Sequence, residues 1–470
     1  MRRLGRSAGL MLVAVAVAVV LVVLGAASVL DQQYAGLAAV AILACGLLFH
    51  DPMSLPVLAM PAVVIVERFG AGGIDLTISD IVLFGAFWIA LVFAPRPFSR
   101  PMRSMLWLNA LYQVATIFTV IANPYQANTV EWFHAWVLIS GALVVGWAVG
   151  RSGHARLGMT LFLAACGVLA VSTLVQWAGQ VAAGNFGAVY PTWPFGMHKN
   201  FVGDVVAFAA VVAYARPSWM GWTKRWALPM FWLCTAAVVA SQARQAMVGL
   251  AVALVILVLR PEPGRRHSKL ILLAVAVAGV YVLTLVNDQL ESGNEFNSAY
   301  QRLTWYEQAL SVWNQNPAFG VGLRWWTAGR TDYEFQPPNA ELEVLTSAGA
   351  VGLAGFLVMF AGMFVVLWRM DRRYGSLALA LVASRLVQAQ FDLFWVAIQS
   401  SVPFLLAGVC LGVQARHAAG PPTGRDLQDG TEDEALEDRA GPSEAAAAAG
   451  RDDEPAAPSR DERRAAEVRR

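Results

Sequence analysis

The sequence predicts an all-α polytopic membrane protein with about 12–14 transmembrane helices and one large external loop. Of its 470 residues, 57% are hydrophobic and 14% are charged, whereas a soluble domain carries roughly 25% charged residues. Apolar runs recur along most of the chain, and many approach the roughly 20 residues that span a bilayer as a helix. Arginine and lysine gather in alternate connections between those runs. These observations exclude a soluble multidomain protein.

The expected spans are apolar runs bounded by polar or turn-forming residues. They are 9–30, 34–49, 53–66, 78–94, 104–121, 131–149, 157–178, 201–215, 226–240, 244–259, 269–286, 347–368, 375–390 and 393–413. The runs 53–66 and 226–240 are short, which is compatible with tilted or re-entrant helices. The first run follows a basic start and fits either a cleaved signal peptide or a retained span, and we favour the retained span.

The basic residues predict the orientation of the chain. One set of alternate connections contains Arg2, Arg3, Arg6, Arg96, Arg100, Arg103, Arg151, Arg156, Arg216, Lys224, Arg225, Arg260, Arg265, Arg266, Lys269, Arg369, Arg372 and Arg373. The positive-inside rule places that set in the cytoplasm, together with both termini. The preference for Arg over Lys, with abundant Ala, Val and Gly, indicates a GC-rich bacterial genome. We therefore predict a multi-pass protein of the bacterial plasma membrane.

Two regions of different composition are expected. Residues 1–417 form the multi-span domain, and residues 418–470 form a cytoplasmic tail. The tail is rich in Gly, Pro, Ala and charged residues, so it cannot bury enough apolar surface to offset its ordering entropy and should be disordered. The four cysteines lie in separate apolar runs without metal-ligand spacing, which indicates small buried residues.

The predicted external loop, residues 287–346, is the longest polar stretch between two spans. Loops of this length usually carry function or are disordered. Helical spacing of apolar residues predicts an amphipathic helix at the membrane surface, with Ala299, Leu303, Tyr306, Leu310 and Trp313 on its apolar face. The segment "NPAFGVG" ends that helix, and the tryptophans nearby suit interfacial anchoring.

A few basic residues lie on the predicted outer side, against the positive-inside bias. They are Arg68, Lys199, Arg244, Arg302, Arg324, Arg330 and, near the outer end of its span, Arg385. Each could snorkel to the interface or form a structural ion pair. Several on one side, next to a long loop, favour an anion site, because the arginine fork matches phosphate oxygens. The segment "YPTWPFGMHKNFVGD" adds His198, Lys199 and Asn200 on the same side.

The sequence contains no Walker A motif and no Rossmann glycine fingerprint. A cytosolic nucleotide-sugar or ATP site is therefore unsupported, and the donor should be carried by the membrane. No nucleic-acid partner and no cofactor are expected.

Three segments of the chain resemble the O-antigen ligase and polymerase family of bacterial membrane proteins. They are "FGMHKNFVGDVVAF", "SQARQAMVGLAVALVIL" and the pair "YQRLTWYEQALSVWNQNPAFGVGL" and "PPNAELEVLTSAGAVGL". The last pair is similar to the large external loop of the family, in which nine residues separate a histidine–asparagine pair from a helix-opening glycine. The motifs span 194–353, and Asn339 and Gly349 keep the family spacing.

The resemblance implies a glycosyltransferase that takes saccharide from a polyprenyl-diphosphate carrier on the outer face and polymerises it or ligates it to a hydroxyl acceptor. It further implies that Arg244 and Arg302 hold the diphosphate without a metal ion. Pro338 stands where family ligases have a histidine, which leaves Glu341, Glu343 and His198 as candidate bases, with Glu341 favoured.

The remaining candidate residues are assigned to substrate binding. They are His198, Lys199, Asn200, Asn339 and Arg385. A purely structural interpretation also explains the "PPNAELE" stretch, because Asn339 can cap a helix whose first turn holds Glu341 and Glu343. Two other functions remain open: a transporter or flippase for lipid-linked glycans, and an inactive family member with a scaffolding role.

Overall fold

The computed structural model describes residues 43, 46–71, 74–265, 268–291, 298–333, 336–395 and 397–420. The span predicted at 9–30, most of the span at 34–49, Cys45 and the tail from residue 421 onward lie outside the described residues.

Helices make up almost all of the described secondary structure, which confirms the all-α polytopic class. In chain order they are α1 (Ser54–Ala62), α2 (Ile78–Phe93), α3 (Arg100–Ala122), α4 (Gln126–Trp136), α5 (Ala142–Arg151), α6 (Ala155–Ala182), α7 (Lys199–Ala215), α8 (Lys224–Ser241), α9 (Arg244–Leu259), α10 (Leu270–Glu291), α11 (Ser298–Trp313), α12 (Ala340–Arg369), α13 (Arg372–Gln388) and α14 (Ala397–Ala418). A π-helical turn, Val137–Gly141, joins α4 to α5, and a 3-10 turn, Ser218–Met220, precedes α8.

Within the described ranges, four helices are long and apolar enough to cross a membrane. They are Arg100–Ala122, Gln126–Arg151, Ala155–Ala182 and Ala340–Arg369. The shorter apolar helices include Ile78–Phe93 and Arg244–Leu259. Two runs, 53–66 and 226–240, are short in the sequence. The first forms α1, which has nine residues, and the second lies within α8, which has 18.

One small β-hairpin interrupts the helices, and the sequence analysis did not predict it. Strands β1 (Arg68–Ala71) and β2 (Ile74–Thr77) pair antiparallel, with Phe69 opposite Leu76. The hairpin leads directly into α2, whose N-cap Thr77 accepts a hydrogen bond from the backbone amide of Asp80. A two-stranded hairpin of this length depends on its surroundings for stability.

The centre of the bundle is α7, in which residues 202–213 are all buried. It packs against α6, α8, α9, α13 and α14. A second close contact joins α5 to α14, where each helix carries two glycines four residues apart: Gly146 and Gly150, and Gly408 and Gly412. A Cβ at Gly146 would lie 1.9 Å from the carbonyl oxygen of Leu405. Only glycine permits this separation, as in small-residue contacts between membrane helices.

Helix α12 is broken at Gly349, where the backbone adopts φ 69° and ψ −171°. Residues 340–348 therefore form a separate short helix, which we call the half-helix. The break leaves two carbonyls and two amides of α12 without partners in the helix, and the neighbouring loop supplies hydrogen-bond partners for all four. The amides of Val321 and Gly322 donate to the carbonyls of Thr346 and Ser347 at 3.1 and 2.9 Å. In return, the amides of Ala350 and Val351 donate to the carbonyls of Pro317 and Ala318.

This pairing explains the "NPAFGVG" segment, because irregular backbone inside a membrane protein must find its partners within the protein. We call residues 314–339 the long loop, of which 334 and 335 are not described. The predicted loop 287–346 is shorter in the structure, since α10 continues to Glu291 and α12 begins at Ala340.

The helix predicted in that loop exists as α11. Of its predicted apolar face, Leu310 is 45% exposed, Tyr306 and Trp313 are partly buried, and the side chains of Ala299 and Leu303 lie outside the description; the buried side chains are Ala309 and Val312. The reason is tertiary: α11 packs its Ala309 side towards α12 instead of lying as an isolated surface helix.

Candidate functional site

The candidate site is built around the segment between α13 and α14, residues 389–395, which we call the connector. The sequence analysis placed these residues at the junction of two spans and gave them no role. In the structure, all three motif segments bond to the connector. It therefore defines the place where the predicted site residues come together.

The start of the half-helix lies against the connector. Asn339 caps the half-helix, as predicted, with its Oδ1 accepting from the amide of Leu342. Its Nδ2 donates to Oε1 of Gln390 at 3.3 Å. The backbone amide of Ala340 donates to the carbonyl of Ala389 at 2.8 Å. Gln390 Nε2 donates to Oε1 of Glu341 at 2.9 Å, so Gln390 orients both candidate residues.

Glu341 and Glu343, two residues apart, differ in their hydrogen bonding. Glu343 is 3% exposed, and its carboxylate accepts from Gln336 Nε2 at 2.6 Å and from the amide of Phe394 at 2.8 Å. Glu341 is held at one oxygen only. Its Oε2 is buried and has no hydrogen-bond partner within the described part of the chain. Of the two, Glu341 is the carboxylate with an oxygen left to accept a proton.

Asp392 joins three helices through one carboxylate oxygen. Its Oδ2 accepts from Asn200 Nδ2 at 3.1 Å, from Gln245 Nε2 at 3.3 Å and from Gln399 Nε2 at 3.2 Å. These donors lie near the starts of α7, α9 and α14. The sequence analysis missed Asp392, although its position in the polar run "QAQFD" between two apolar spans could have drawn attention to it.

The predicted cations occupy the same end of the bundle. Lys199 and Arg244 are the first residues of α7 and α9, and their charges interact. Arg302 of α11 donates from Nη2 to the carbonyl of Phe391 in the connector at 3.0 Å. Arg302 thus reaches the connector from α11.

Arg385 was predicted to bind substrate, but in the structure it lies inside the bundle. The side chain is fully buried, and its Nη2 donates to the carbonyls of Leu393 and Phe394 at 2.7 and 2.5 Å. A side chain without exposed surface cannot contact a substrate in this conformation. Arg385 instead holds the connector in place, with the buried carboxylate of Asp204 among its electrostatic partners.

His198 caps α7 from outside the helix. Its Nδ1 accepts from the amide of Asn200 at 3.3 Å, which requires the neutral ring. Desolvation lowers the pKa of His198, and the charge of Lys199 acts in the same direction, while Asp392 opposes the shift. The neutral histidine is thus the form that fits this cap.

The N-termini of three helices therefore meet at the connector: α7, α9 and α12. Helix N-termini carry partial positive charge and unpaired amides, and they attract anions. Lys199, Arg244 and Arg302 add full charges. The arrangement suits a polyanionic group that also presents hydroxyls to Asn200 and Glu341. In the part of the chain that the structure describes, no group of three or more His, Cys, Asp or Glu side chains is placed to hold a metal ion.

Residues 229–357 match the model of the O-antigen ligase family. This segment runs from within α8 to the first part of α12, and it includes Arg244, Arg302, Asn339 and Glu341. His198–Asn200 and the connector lie outside it. A search of curated proteins finds no match for the chain. The match over 229–357 supports an assignment to the O-antigen ligase family.

Proposed function

We propose that the protein is a membrane glycosyltransferase that takes a saccharide from a polyprenyl-diphosphate carrier on the outer face of the bacterial plasma membrane. It transfers the saccharide to a hydroxyl of a growing glycan or of another acceptor, and thereby polymerises or ligates a cell-surface polysaccharide. The family assignment supports a membrane protein that processes glycans. The donor, the side of the membrane and the residue roles are our proposal.

The observation that carries the proposal is the meeting of three helix N-termini with Lys199, Arg244 and Arg302 at the connector. A lipid diphosphate is a polyanion held at the membrane surface, which fits this charge. When the glycosidic bond to phosphate breaks, negative charge grows on the leaving oxygen. Forked donors placed beforehand stabilise that charge in the transition state.

The bond changes balance without an added reactant. The acceptor oxygen forms a bond to the anomeric carbon, the bond from that carbon to the phosphate oxygen breaks, and the polyprenyl diphosphate leaves with the bonding electrons. The acceptor proton passes to the carboxylate of Glu341, whose buried Oε2 must first turn towards the acceptor. This residue stands within one helical turn of Pro338, which occupies the place of the family histidine, and its Oε2 has no other described partner.

The remaining candidates have supporting roles in this proposal. Asn200 and Asn339 lie at helix starts and are held by connector residues, so they can orient sugar hydroxyls. His198 keeps the start of α7 in place. Glu343 has both oxygens engaged by donors, so neither oxygen is free to take the proton of the acceptor.

Transfer can be tested directly with the purified protein in lipid, given a polyprenyl-diphosphate oligosaccharide and an acceptor, with products identified by mass. We expect lengthened or transferred glycan and released polyprenyl diphosphate. Glu341→Gln should lower the rate, and the exposed Glu307→Gln serves as a control of the same chemistry. Because the proposal uses no metal, EDTA should leave the rate unchanged. A full loss with EDTA that Mg²⁺ restores would contradict the metal-independent mechanism.

One observation favours the transporter alternative. Helix α12 is broken at Gly349 inside an apolar segment, and broken helices with half-helix N-termini occur at substrate sites of transporters. The same assay separates the two functions. Movement of the intact lipid-linked saccharide across vesicles, with no covalent product under any acceptor condition, would support the transporter.

A further inference from the structure

A buried row of charges lies apart from the connector and takes no part in the proposed chemistry. Nε2 of His134 lies 2.9 Å from Oδ1 of Asp80, and Nδ1 lies 3.4 Å from Oε2 of Glu131. The same Glu131 oxygen accepts from Nε of Arg324 at 2.8 Å. We call Asp80, His134, Glu131 and Arg324 the charge array. Its first three members come from α2 and α4, and Arg324 comes from the long loop.

The geometry gives alternating charges along the array. Both ring nitrogens of His134 face carboxylate oxygens, and a nitrogen can donate only when it carries a proton. The imidazolium therefore satisfies both contacts. Asp80 and Glu131 are 8% and 5% exposed. Buried charges are costly unless they are paired, so each buried carboxylate is stabilised by its contact with a cation. For Glu131, one of those cations is Arg324 of the long loop.

Helix α4 and the residues before it hold the loop at further points. The amide of Leu323, next to Arg324, donates to Oδ1 of Asn128 at 2.8 Å. Nδ2 of Asn123 donates to the carbonyl of Gly320 at 3.1 Å. These bonds flank the residues that repair the break in α12, Val321 and Gly322. The loop backbone is thus fixed between α4 on one side and the half-helix on the other.

The half-helix depends on that backbone. The amides of Val321 and Gly322 in the loop donate to the carbonyls of Thr346 and Ser347, just before the break at Gly349. The half-helix carries Glu341, five residues before Thr346. A shift of the loop would therefore move the half-helix, and with it the candidate base.

We propose that the charge array positions the catalytic half-helix: Glu131 and His134 hold Arg324, Arg324 fixes the long loop, and the loop sets the place of Glu341. The part that concerns Glu341 rests on the proposed function. Asp80, Glu131 and His134 lie outside the matched segment 229–357, and their link to the site runs through Arg324 and the long loop. Glu131 and His134 are positioning residues.

Ser347 offers a reporter that does not require activity. It is 4% exposed, and its Oγ has no hydrogen-bond partner among the described residues. It lines a small internal cavity of about 10 Å³ together with Glu131, Leu323 and Val344. A cavity of about this size can hold one water molecule. Ser347 therefore lies on the side of the half-helix that faces the array, and its side chain should become accessible when the two separate.

The first experiment measures the labelling rate of a cysteine introduced by Ser347→Cys with a hydrophilic thiol reagent. Each protein is also labelled without the Ser347→Cys substitution, and that rate corrects for the native cysteines, of which Cys166, Cys234 and Cys410 are buried. We expect His134→Gln, Glu131→Gln and Arg324→Ala each to raise the rate on the order of tenfold or more, since local opening then costs less. His154→Gln and Glu307→Gln are matched controls outside the array and should leave the rate unchanged.

Arg324→Ala keeps the proposal falsifiable if the buried variants fail to fold, because Arg324 lies on the loop and its side chain is 30% exposed. Arg324→Lys keeps the charge and should restore most of the protection. Unchanged labelling in a folded Arg324→Ala protein would overturn the proposal. Equal labelling by the Lys and Ala variants would also overturn it, because charge would then not be the cause.

The second experiment measures transfer by the same variants. A displaced base should lower kcat by roughly ten- to a hundredfold with KM for the lipid-linked donor changed less than about threefold. Increased labelling with unchanged kcat would separate the array from Glu341 and remove the positioning role. If the unmodified protein transfers no glycan, the proposed function fails, while the labelling result still decides whether the array holds the half-helix.

Discussion

At the scale of single residues, Arg302 connects the loop to the connector through one bond to the carbonyl of Phe391. We expect Arg302→Ala to lower glycan transfer on the order of a hundredfold, because a donor to the leaving phosphate is removed from the transition state. Arg302→Lys should recover part of the rate, since a single ammonium cannot make the forked contact. Initial rates on purified protein give the measurement.

A structural role for Arg302 has a different signature. If its bond to Phe391 only holds the loop, Arg302→Ala should lower thermal stability together with activity. Near-normal turnover by a stable Arg302→Ala protein would rule out a catalytic role and favour the transporter.

His198 gives a prediction about pH. Its neutral ring caps α7, and its pKa is lowered by desolvation. A histidine with a lowered folded pKa contributes stability that is complete above its ordinary pKa of about 6.5 and declines as pH falls below that value. We therefore expect donor binding to weaken below about pH 6 as the start of α7 loosens. His198→Asn supplies a cap that does not titrate and should flatten this limb of the binding profile.

The measurement is donor affinity from pH 5 to 8 for both proteins, with His154→Gln as the control. If His198→Asn shows the same acid limb as the unmodified protein, another group is responsible.

At the scale of elements, the break in α12 determines the site. At Gly349, φ is 69°, and an added Cβ would lie 2.3 Å from the carbonyl oxygen of Ala318. This backbone region is essentially restricted to glycine and costs other residues about 1–3 kcal/mol. We expect Gly349→Ala to lose at least that much stability and to abolish transfer, because the loop and the half-helix can no longer pair.

Thermal unfolding of Gly349→Ala and its transfer rate provide the test. Gly279→Ala in α10 is a suitable control, because nothing lies within 4 Å of its added Cβ. A Gly349→Ala protein with normal stability and rate would mean that α12 can form without the break.

At the scale of the whole molecule, the arginine asymmetry predicts cytoplasmic termini and an external loop over residues 287–346. A cysteine at Ser298 should react with an impermeant reagent in intact cells. A cysteine at the exposed Thr223, in a basic connection, should react only after permeabilisation. The reverse pattern would overturn the orientation and place the connector on the cytoplasmic side.

The tail should be dispensable for transfer, because its composition predicts neither a core nor a contact with the site. Truncation after residue 417 should keep the rate within a few-fold of the full chain. Complete loss at equal yield and insertion would assign the tail a part in the reaction.

The sequence by itself determined the class of the protein, most helix boundaries and the cap at Asn339. These features depend on local composition and periodicity, which hold wherever the helices later pack. It also identified Arg244, Arg302, Asn200 and Glu341 as candidates, because their motifs are local.

Only the tertiary structure decided how those candidates meet. Asp392 joins α7, α9 and α14 across sequence separations of 192, 147 and 7 residues, and its position in a polar run between two spans does not reveal those partners. The sequence makes Arg385 a candidate for substrate binding. In the structure its side chain is buried and donates a hydrogen bond to the connector. The charge array likewise joins His134 to Asp80 across 54 residues. Pairing of buried charges is a property of the packed bundle, because the cost of leaving a charge unpaired arises only once water is excluded.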